Sequence, residues 1–379
     1  MLRTLAMLIR PITPKDLDAL VQIANESGPG FTSLMPDRDA LSRKIDHSVE
    51  SFARNVTKPG DEHYLFVLED ITTGDIMGTT GIEAAAGVSR PLVHFRRNAV
   101  IRHAGDRQKR HTEESLTRCQ QYTGCTEVCS LYLRPEFRRA NAGKLLSRVR
   151  FLFMALHPER FADTVIAEMR GVSDPSGQSP FWDWLKHHVA DLDFMSATQL
   201  ACCGQSGFID QFIPAKPLYT RQMTSEARAV IGQVHEDTRA ARHMLEREGF
   251  RHRGFVDLLD GGPTLECPRS DIASVRETLL ASAVLRGKPR NPAVDSGETF
   301  KSAIVANTGC SEFRATVTSQ VWPAPDSCNL VVEELLARQL DLGDGSLVCY
   351  LPLGRTSQQS QGRQQPRQEP ATEEIRYAY

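Results

Sequence analysis

The feature that most constrains the fold is a strand-like run, Val128 to Leu133, that leads through a short basic loop into a helix. The loop reads Arg-Arg-Ala-Asn-Ala-Gly-Lys over residues 138–144, and apolar residues then recur at helical spacing as far as Leu156. A strand that ends in small residues opening a helix exposes unpaired backbone N–H groups and the positive end of the helix dipole, which suit a pyrophosphate. The pattern therefore predicts an α/β fold with a phosphate-binding loop, although a basic solvated turn has the same local sequence.

The order of the other elements extends this prediction. Apolar periodicity and turn residues predict a strand at 8–11, a helix after Thr13, a helix over 36–53, a hairpin of strands 64–69 and 76–85, a short strand at 165–168, and a strand–helix–strand unit over 230–234, 237–248 and 250–257. Such a mixture indicates an α/β (α+β) fold in which helices flank a mixed sheet.

The charge balance and the cysteines exclude several classes of protein. A formal net charge of −2 gives no attraction toward nucleic acid or an anionic membrane. The nine cysteines show no zinc-binding spacing, so no metal site is predicted, and their odd number favours reduced thiols in a cytoplasmic protein. The apolar run of Met1 to Leu8 is too short for a secretory leader, Met7 is an alternative start, and no stretch reaches the ~20 apolar residues of a membrane span.

Composition also divides the chain. Residues 286–300 are rich in Gly, Pro, Lys, Arg and Asp, which is typical of a linker that follows a main region, 7–285. Residues 301–353 are predicted to form a small β-rich module, and the Gln/Ser/Arg-rich residues 354–379 a disordered tail. The basic stretch 93–119 is predicted to be a solvated loop, because nucleic-acid binding needs interleaved aromatic residues.

Several collinear islands make the sequence similar to a known family. They are Gly28-Pro29-Gly30-Phe31-Thr32-Ser33-Leu34, Tyr64-Leu65-Phe66-Val67-Leu68-Glu69-Asp70, Leu145-Leu146-Ser147-Arg148, Ala167-Glu168-Met169-Arg170-Gly171-Val172, Ser179-Pro180-Phe181-Trp182, Ile231-Gly232-Gln233-Val234-His235 and Asp260-Gly261-Gly262-Pro263-Thr264-Leu265-Glu266. With the order of elements, they resemble the arginine N-succinyltransferases, which are acyltransferases of the GNAT type, over about residues 7–286. The resemblance implies a GNAT-like sheet with an insertion, and transfer of succinyl from succinyl-CoA to the α-amino group of L-arginine, the first step of an arginine breakdown route.

The resemblance also implies roles for individual residues. The proton donor of the family falls on His235, and its succinyl-CoA contact falls on Leu131. The CoA pyrophosphate is expected on the loop, whose matching residues are Arg138, Arg139, Asn141, Ala142, Gly143 and Lys144. Succinyl-CoA is then a co-substrate, and no permanently bound cofactor is implied. A histidine that titrates near ~6.5 can move protons between an α-amino group near ~8 and a thiol near ~8.5, so the chemistry agrees with His235.

A guanidinium substrate needs carboxylate partners. Three acids near predicted strand ends are candidates for this role: Glu83, Glu168 and Asp257. Each is also the type of residue that forms an ordinary ion pair.

The chain departs from the family in the loop and near residues 206–217. The loop reads Asn141-Ala142-Gly143 where the family has Gly-Asn-Gly, and Asn tolerates the left-handed conformation better than most residues. Ser206-Gly207 and Ile213-Pro214-Ala215-Lys216-Pro217 replace family patterns that contain Lys and His. These departures leave open a different acyl donor, an amine such as ornithine, and a non-catalytic homologue that binds CoA. A homo-oligomer or a pairing with a paralogous subunit is also left open.

Overall fold

The computed structural model describes residues 7–28, 31–104, 109–138, 141–174, 176–189, 192–202, 213, 215–286, 300–319, 321–324 and 328–355. The helices in these ranges are α1 (Leu17–Glu26), α2 (Arg38–Ala53), α3 (Ala142–Leu156), α4 (Pro180–Val189), α5 (Phe194–Cys202), α6 (Ser225–Val230), α7 (Arg239–Glu248), α8 (Ala273–Glu277) and α9 (Glu334–Gln339). The strands are β1 (Met7–Pro11), β2 (His63–Asp70), β3 (Asp75–Glu83), β4 (His94–Ala104), β5 (Lys109–Cys119), β6 (Thr126–Leu133), β7 (Thr164–Glu168), β8 (Leu218–Tyr219), β9 (Arg251–Val256), β10 (Pro263–Pro268), β11 (Leu279–Arg286), β12 (Phe300–Asn307), β13 (Ala315–Thr318), β14 (Val321–Pro323), β15 (Asn329–Glu333) and β16 (Leu347–Arg355). Among the described helices, none has the length and apolar character that a membrane crossing requires.

All sixteen described strands belong to one mixed sheet. Their order is β14-β15-β11-β16-β12-β13-β1-β2-β3-β6-β7-β10-β9-β4-β5-β8. The neighbours β6 and β7 run parallel, as do β11 and β15, and the other neighbouring pairs of described strands are antiparallel. The strand that precedes the predicted phosphate loop, β6, therefore lies near the middle of the sheet beside its only parallel neighbour in the described part.

Helices cover both faces of the centre of the sheet. Leu65 and Val67 of β2 pack in one core with α1 and α2, whereas Tyr64 and Phe66 of the same strand pack in another core with Phe153 of α3. The Phe153 ring lies 5.3 Å from the Tyr64 ring and 5.2 Å from the Phe66 ring. Successive side chains of a strand point to opposite faces, so these two cores bury β2 on both sides. This explains why its sequence is a nearly continuous apolar run.

The basic stretch 93–119 contains a long hairpin, so the prediction of a solvated loop is wrong. Strands β4 and β5 pair along their whole length. Phe95 and Leu116 are fully buried in a core with α4, while Arg97 forms an ion pair with Glu114 across the hairpin at 2.8 Å. Arg96 lies over the Phe255 ring, and the Arg97–Glu114 pair joins the two strands, which stabilises the hairpin.

The strand predicted at 230–234 is also wrong. Val230 ends α6, and Gly232 follows in a turn with a φ of 74°, a value that glycine adopts at little cost. The N–H of Gly232 donates to the carbonyl oxygen of Gly261 at 2.8 Å. His235 therefore follows a turn that is fixed by a distant loop, which apolar periodicity could not reveal.

Residues 300–355 extend the sheet beyond β1. Strand β13 pairs with β1 where Ala315 lies opposite Ile9, and β12 and β16 follow it. Strand β11 lies before the predicted linker, yet it pairs with β15 and β16. The division into a main region, linker, module and tail stays a prediction, and residues 287–299 and 356–379 lie outside the described part.

Candidate active site

A β-bulge interrupts β6 near the centre of the sheet. Ser130 and Leu131 together stand opposite the single residue Thr80 of β3. Ser130 has a φ of 52°, in the left-handed region that few non-glycine residues adopt, and its carbonyl oxygen accepts a hydrogen bond from Thr79 Oγ1 at 2.9 Å. A bulge changes the direction of one strand's backbone groups, and this one includes the predicted acyl-CoA contact, Leu131.

Strands β6 and β7 separate just before this bulge. They pair at Thr126 with Val165 and at Glu127 with Ile166, after which β6 continues beside β3 and β7 beside β10. A cavity of about 150 Å³ opens where they part. Backbone at such an opening can pair with an extended ligand as with an added strand.

The cavity reaches both faces of the sheet. Val128 and Ala167 pack in the core beneath α3, so alternation along the strands turns Glu127 and Glu168 toward the opposite face. All four residues line the cavity. On the side of α3 the lining includes Arg150 and residues of α7. The cavity thus connects the face that carries the phosphate loop and α3 with an acidic face.

Three of the residues singled out in the sequence line this cavity, namely Leu131, Glu168 and Asp257. Glu83 does not line it, but lies directly opposite Glu127 in the β3–β6 ladder.

Glu127 is the functional candidate that the sequence interpretation missed. Burial raises the pKa of its carboxyl group well above the ordinary value, and the nearby charges of Glu168 and Glu83 raise it further. A carboxyl group with a strongly raised pKa in a cavity is a common mark of a functional site. The sequence feature that could have identified Glu127 is an acidic residue inside an otherwise apolar strand.

Two acids of the cavity also form contacts that stabilise the local structure. One oxygen of Asp257 accepts hydrogen bonds from the N–H groups of Leu259 and Asp260, at 2.7 and 2.9 Å. Burial, followed by the charge of Glu168, raises the pKa of Asp257. Glu168 lies 2.5 Å from Nε2 of the buried His94, and although burial opposes the positive charge, this carboxylate raises the pKa of His94. Glu168 is therefore an ion-pair partner as well as a cavity residue.

His235 lies between two openings rather than inside one. Its backbone N–H donates to the carbonyl oxygen of Arg170 at 2.9 Å, and Arg170 and Thr238 line the cavity. Val234, on its other side, lines a second opening of about 450 Å³. The His235 side chain itself is among the lining residues of neither opening.

The local structure keeps His235 neutral. Its Nδ1 accepts a hydrogen bond from the backbone N–H of Asp237 at 3.2 Å, which places the ring proton on Nε2. Burial lowers the pKa of His235, and the positive charge of Arg170 lowers it further. In this tautomer the neutral imidazole can accept a proton only at Nδ1, once the N–H of Asp237 moves away from it.

The predicted phosphate loop forms the start of α3. Asn141 is the residue before the helix, with φ 61° and ψ −8°, and its carbonyl oxygen accepts the N–H of Leu145 at 2.8 Å. The first turn of α3 carries Gly143 and the exposed Lys144 and contains no acidic side chain. Arg138 is exposed, with Nε donating to the carbonyl oxygen of Leu133 at 3.1 Å. The helix end is thus open to an anion, while Arg139 lies outside the described residues.

Asn141 offers a test of this loop. Asn141→Gly is expected to keep or lower the Kd for CoA, because glycine adopts the left-handed conformation freely. Asn141→Val is expected to raise that Kd about tenfold, since the left-handed conformation costs L-residues roughly 1–2 kcal/mol. Isothermal titration with CoA measures both, and equal values for the Gly and Val variants would show that the loop does not hold CoA in this conformation.

One group of possible metal ligands occurs among the described residues. Ligand atoms of His63, Glu83 and Cys129 lie within 4.8 Å of one another. Burial, and then the charges of Glu83 and Glu127, raise the pKa of the Cys129 thiol to about 12. A cysteine binds zinc as the thiolate, so this set is poorly suited to zinc and the absence of a metal stays a prediction.

The second region of departure from the family is largely outside the described residues. This applies to Ser206, Gly207 and Pro214. Ile213 is buried beside α4, and Ala215 to Pro217 are exposed.

Comparison with known proteins places these features in a family. The family described as the arginine N-succinyltransferase beta subunit matches residues 7–274. Proteins named arginine N-succinyltransferase from Citrobacter koseri and Escherichia coli are each 38% identical to this chain. The alignment with the Citrobacter protein covers 91% of this chain and 95% of the relative. The alignment with the Escherichia coli protein covers 89% of this chain and 96% of the relative. The solved structure of arginine/ornithine succinyltransferase subunit AI from Pseudomonas aeruginosa superposes with a TM-score of 0.81 at 32% identity, over 92% of this chain and 99% of that one.

Proposed function

Because the chain belongs to the arginine N-succinyltransferase family, we propose that it transfers the succinyl group of succinyl-CoA to the α-amino group of L-arginine. The products are N2-succinyl-L-arginine and CoA. The observation that carries the proposal is the cavity at the split between β6 and β7, which lies between the face of the sheet that carries α3 and a cluster of carboxylates on the opposite face.

The donor fits the side of α3. The start of this helix, with Arg138 and Lys144, suits the pyrophosphate of CoA, and Arg139 is assigned to the same role from the family pattern. The pantetheine arm would then run between the separated strands and bring the thioester to the bulge at Ser130 and Leu131. Succinyl-CoA is thus a co-substrate, and no permanently bound cofactor is proposed.

The acceptor fits the acidic face. A guanidinium forms short, paired hydrogen bonds with carboxylates, and Glu127, Glu168 and Asp257 line this part of the cavity. Burial, and then the charge of Glu168, raise the pKa values of Glu127 and Asp257, and a bound cation opposes this effect by stabilising the ionised forms. The cluster therefore favours a cationic amino acid over a neutral one.

The reaction needs two proton movements. The neutral α-amino nitrogen attacks the thioester carbonyl carbon, the C–S bond breaks, the new amide nitrogen loses a proton and the CoA thiolate gains one. We assign these movements to His235, whose neutral ring can take the first proton at Nδ1, in place of the hydrogen bond from Asp237, and return a proton to the thiolate. Since its side chain lies beside the cavity, the reacting groups must approach it at the rim formed by Arg170 and Thr238.

Release of free CoA thiol tests this proposal. With succinyl-CoA and L-arginine the folded protein is expected to release thiol well above the rate measured without amine. L-ornithine is the second acceptor to test, because the Pseudomonas neighbour is named for both amino acids. No release above background from a folded protein with either amine would contradict the enzyme assignment and favour a CoA-binding homologue.

The names of two matches refer to subunits. We therefore include a homo-oligomer or a pairing with a paralogous chain in the proposal. Light scattering of the purified protein distinguishes these from a monomer.

A further inference from the structure

Arg150 is a buried cation that lines the acyl cavity. It lies in the middle of α3, its exposed fraction is 1%, and it borders the same cavity as Ser130 and Leu131 of the bulge. Long charged side chains are seldom fully buried without a partner of opposite charge. Its position is therefore unusual for a residue with a purely structural role.

The described residues supply Arg150 with no carboxylate. Nε donates to the carbonyl oxygen of Ser147 at 3.1 Å, Nη2 lies 3.4 Å from Ser147 Oγ, and the guanidinium lies 5.6 Å from the Phe151 ring centre. Within the described part of the chain no ion pair involves Arg150, and Cys129 and Glu248 act on its charge only from beyond ion-pair distance. By contrast, Arg148 on the same helix pairs with Glu248 at 3.0 Å.

The burial of Arg150 has an electrostatic consequence. Burial lowers the pKa of Arg150 to about 10, so the group remains a cation at neutral pH but at a cost to the fold. An uncompensated buried charge destabilises a protein until an anion binds to it. The cavity therefore favours an anion at this position.

The charge distribution decides where an anionic ligand group can bind. Glu127 and Glu168 repel an anion at the acidic face. Arg170 also lines the cavity, but Nη2 of Arg170 contacts Ser173 Oγ at 3.1 Å and Asp237 and Asp260 act on its charge. Arg150 differs from Arg170 in being fully buried and in lying on the side of α3, away from Glu127 and Glu168.

We propose that Arg150 binds the terminal carboxylate of the succinyl group and so selects a dicarboxylic acyl donor. The inference rests on the proposed function and names the residue that determines its donor specificity. A guanidinium can bind a carboxylate through two parallel hydrogen bonds, which an acyl group with a methyl end cannot form. An uncharged acyl group would leave Arg150 buried without compensation.

The test compares succinyl-CoA with butyryl-CoA, which has the same four-carbon chain without the carboxylate. For Arg150→Met, kcat/KM with succinyl-CoA is expected to fall roughly 30-fold or more, as for truncation of a buried charge pair. The value with butyryl-CoA is expected to stay constant or to rise. Arg150→Lys keeps the charge without the planar fork and is expected to retain part of the preference for succinyl-CoA.

A matched control is Arg148→Met, which removes a cation of the same helix that does not line the cavity. It is expected to change the rates with the two donors by the same factor. If Arg150→Met did so too, the role of Arg150 would be structural and the proposal wrong. If Arg150→Met does not fold, Arg150→Lys provides the test. An unchanged ratio of kcat/KM for succinyl-CoA to kcat/KM for butyryl-CoA in Arg150→Lys would contradict the proposal.

A binding measurement separates this inference from the proposed function. If the wild-type protein transfers nothing to L-arginine, the proposed function fails. Isothermal titration with succinyl-CoA and butyryl-CoA then still tests Arg150. Tighter binding of succinyl-CoA that is reduced in Arg150→Lys and lost in Arg150→Met supports the carboxylate site, and equal affinities of the wild-type protein for the two thioesters overturn it.

Discussion

His235→Ala is expected to lower kcat by about 10²–10⁴, the usual effect of removing a general acid–base residue. The Kd for CoA is expected to stay within about twofold, since the residues assigned to the pyrophosphate belong to a different segment, at the start of α3. His243→Ala is a matched control, because His243 is an exposed histidine of the neighbouring helix α7 that borders only the second opening. Steady-state kinetics with succinyl-CoA and L-arginine measure kcat, and isothermal titration measures the affinity for CoA.

The pH dependence of kcat gives an independent check on His235. The residue must be neutral to accept a proton, and burial and Arg170 lower its pKa below 6.5. The rate should therefore fall as the pH drops through this lowered pKa, in addition to the fall caused by protonation of the α-amino group near ~8. The fall due to His235 should be absent from the residual activity of His235→Ala. An unchanged kcat in the variant would show that another group moves the protons. Glu127, which lines the cavity, is the alternative that the structure offers.

Glu127→Gln is expected to lower kcat/KM for L-arginine about 100-fold. The substitution keeps the shape of the side chain but removes a buried carboxylate that would pair with the guanidinium, and loss of such a partner costs roughly 2–5 kcal/mol. The KM for succinyl-CoA should change little. In the wild-type protein the KM for L-arginine should fall as the pH rises, because the raised pKa of Glu127 keeps part of it protonated at lower pH and only the ionised form pairs with the substrate.

Asp163→Asn is the control for this charge removal. Asp163 lies just before β7, its side chain is fully exposed, and it pairs with Arg269 at 3.4 Å. It is expected to leave both KM values unchanged. If Glu127→Gln raised the KM values for L-arginine and succinyl-CoA alike, the carboxylate would hold the cavity in shape rather than the acceptor.

Local patterns allowed much of the centre of the molecule to be predicted. Helix α3, strand β6 and the left-handed Asn141 depend on residues close in sequence, and the predicted α/β class agrees with the structure. The resemblance to the arginine N-succinyltransferases is confirmed by the family match. These features share short-range causes, namely periodicity, small loop residues and collinear motifs.

What the sequence could not show depends on pairing between distant residues. The charged strands β4 and β5 become strands because Phe95 and Leu116 are buried against α4. Glu127 becomes a cavity residue because β6 and β7 separate immediately after it, and no local pattern indicates where two parallel strands part. Arg150 looks like an ordinary helix residue until the cavity beside it is known. The roles of all the site residues stay predictions for the variants described above.

The pairing of β1 with β13 sets a condition on the synthesis of the protein. Strand β1 can pair with β2 early, but the partner on its other edge begins at Ala315, and the Met7 carbonyl oxygen also accepts a hydrogen bond from Gln339. At roughly 5–20 residues per second, a ribosome adds Ala315 on the order of 15–60 s after Ile9. During this interval the nascent chain carries an unpaired apolar strand edge, which can associate with other chains. Chaperone dependence of folding, and aggregation of chains truncated before β13, are the expected consequences.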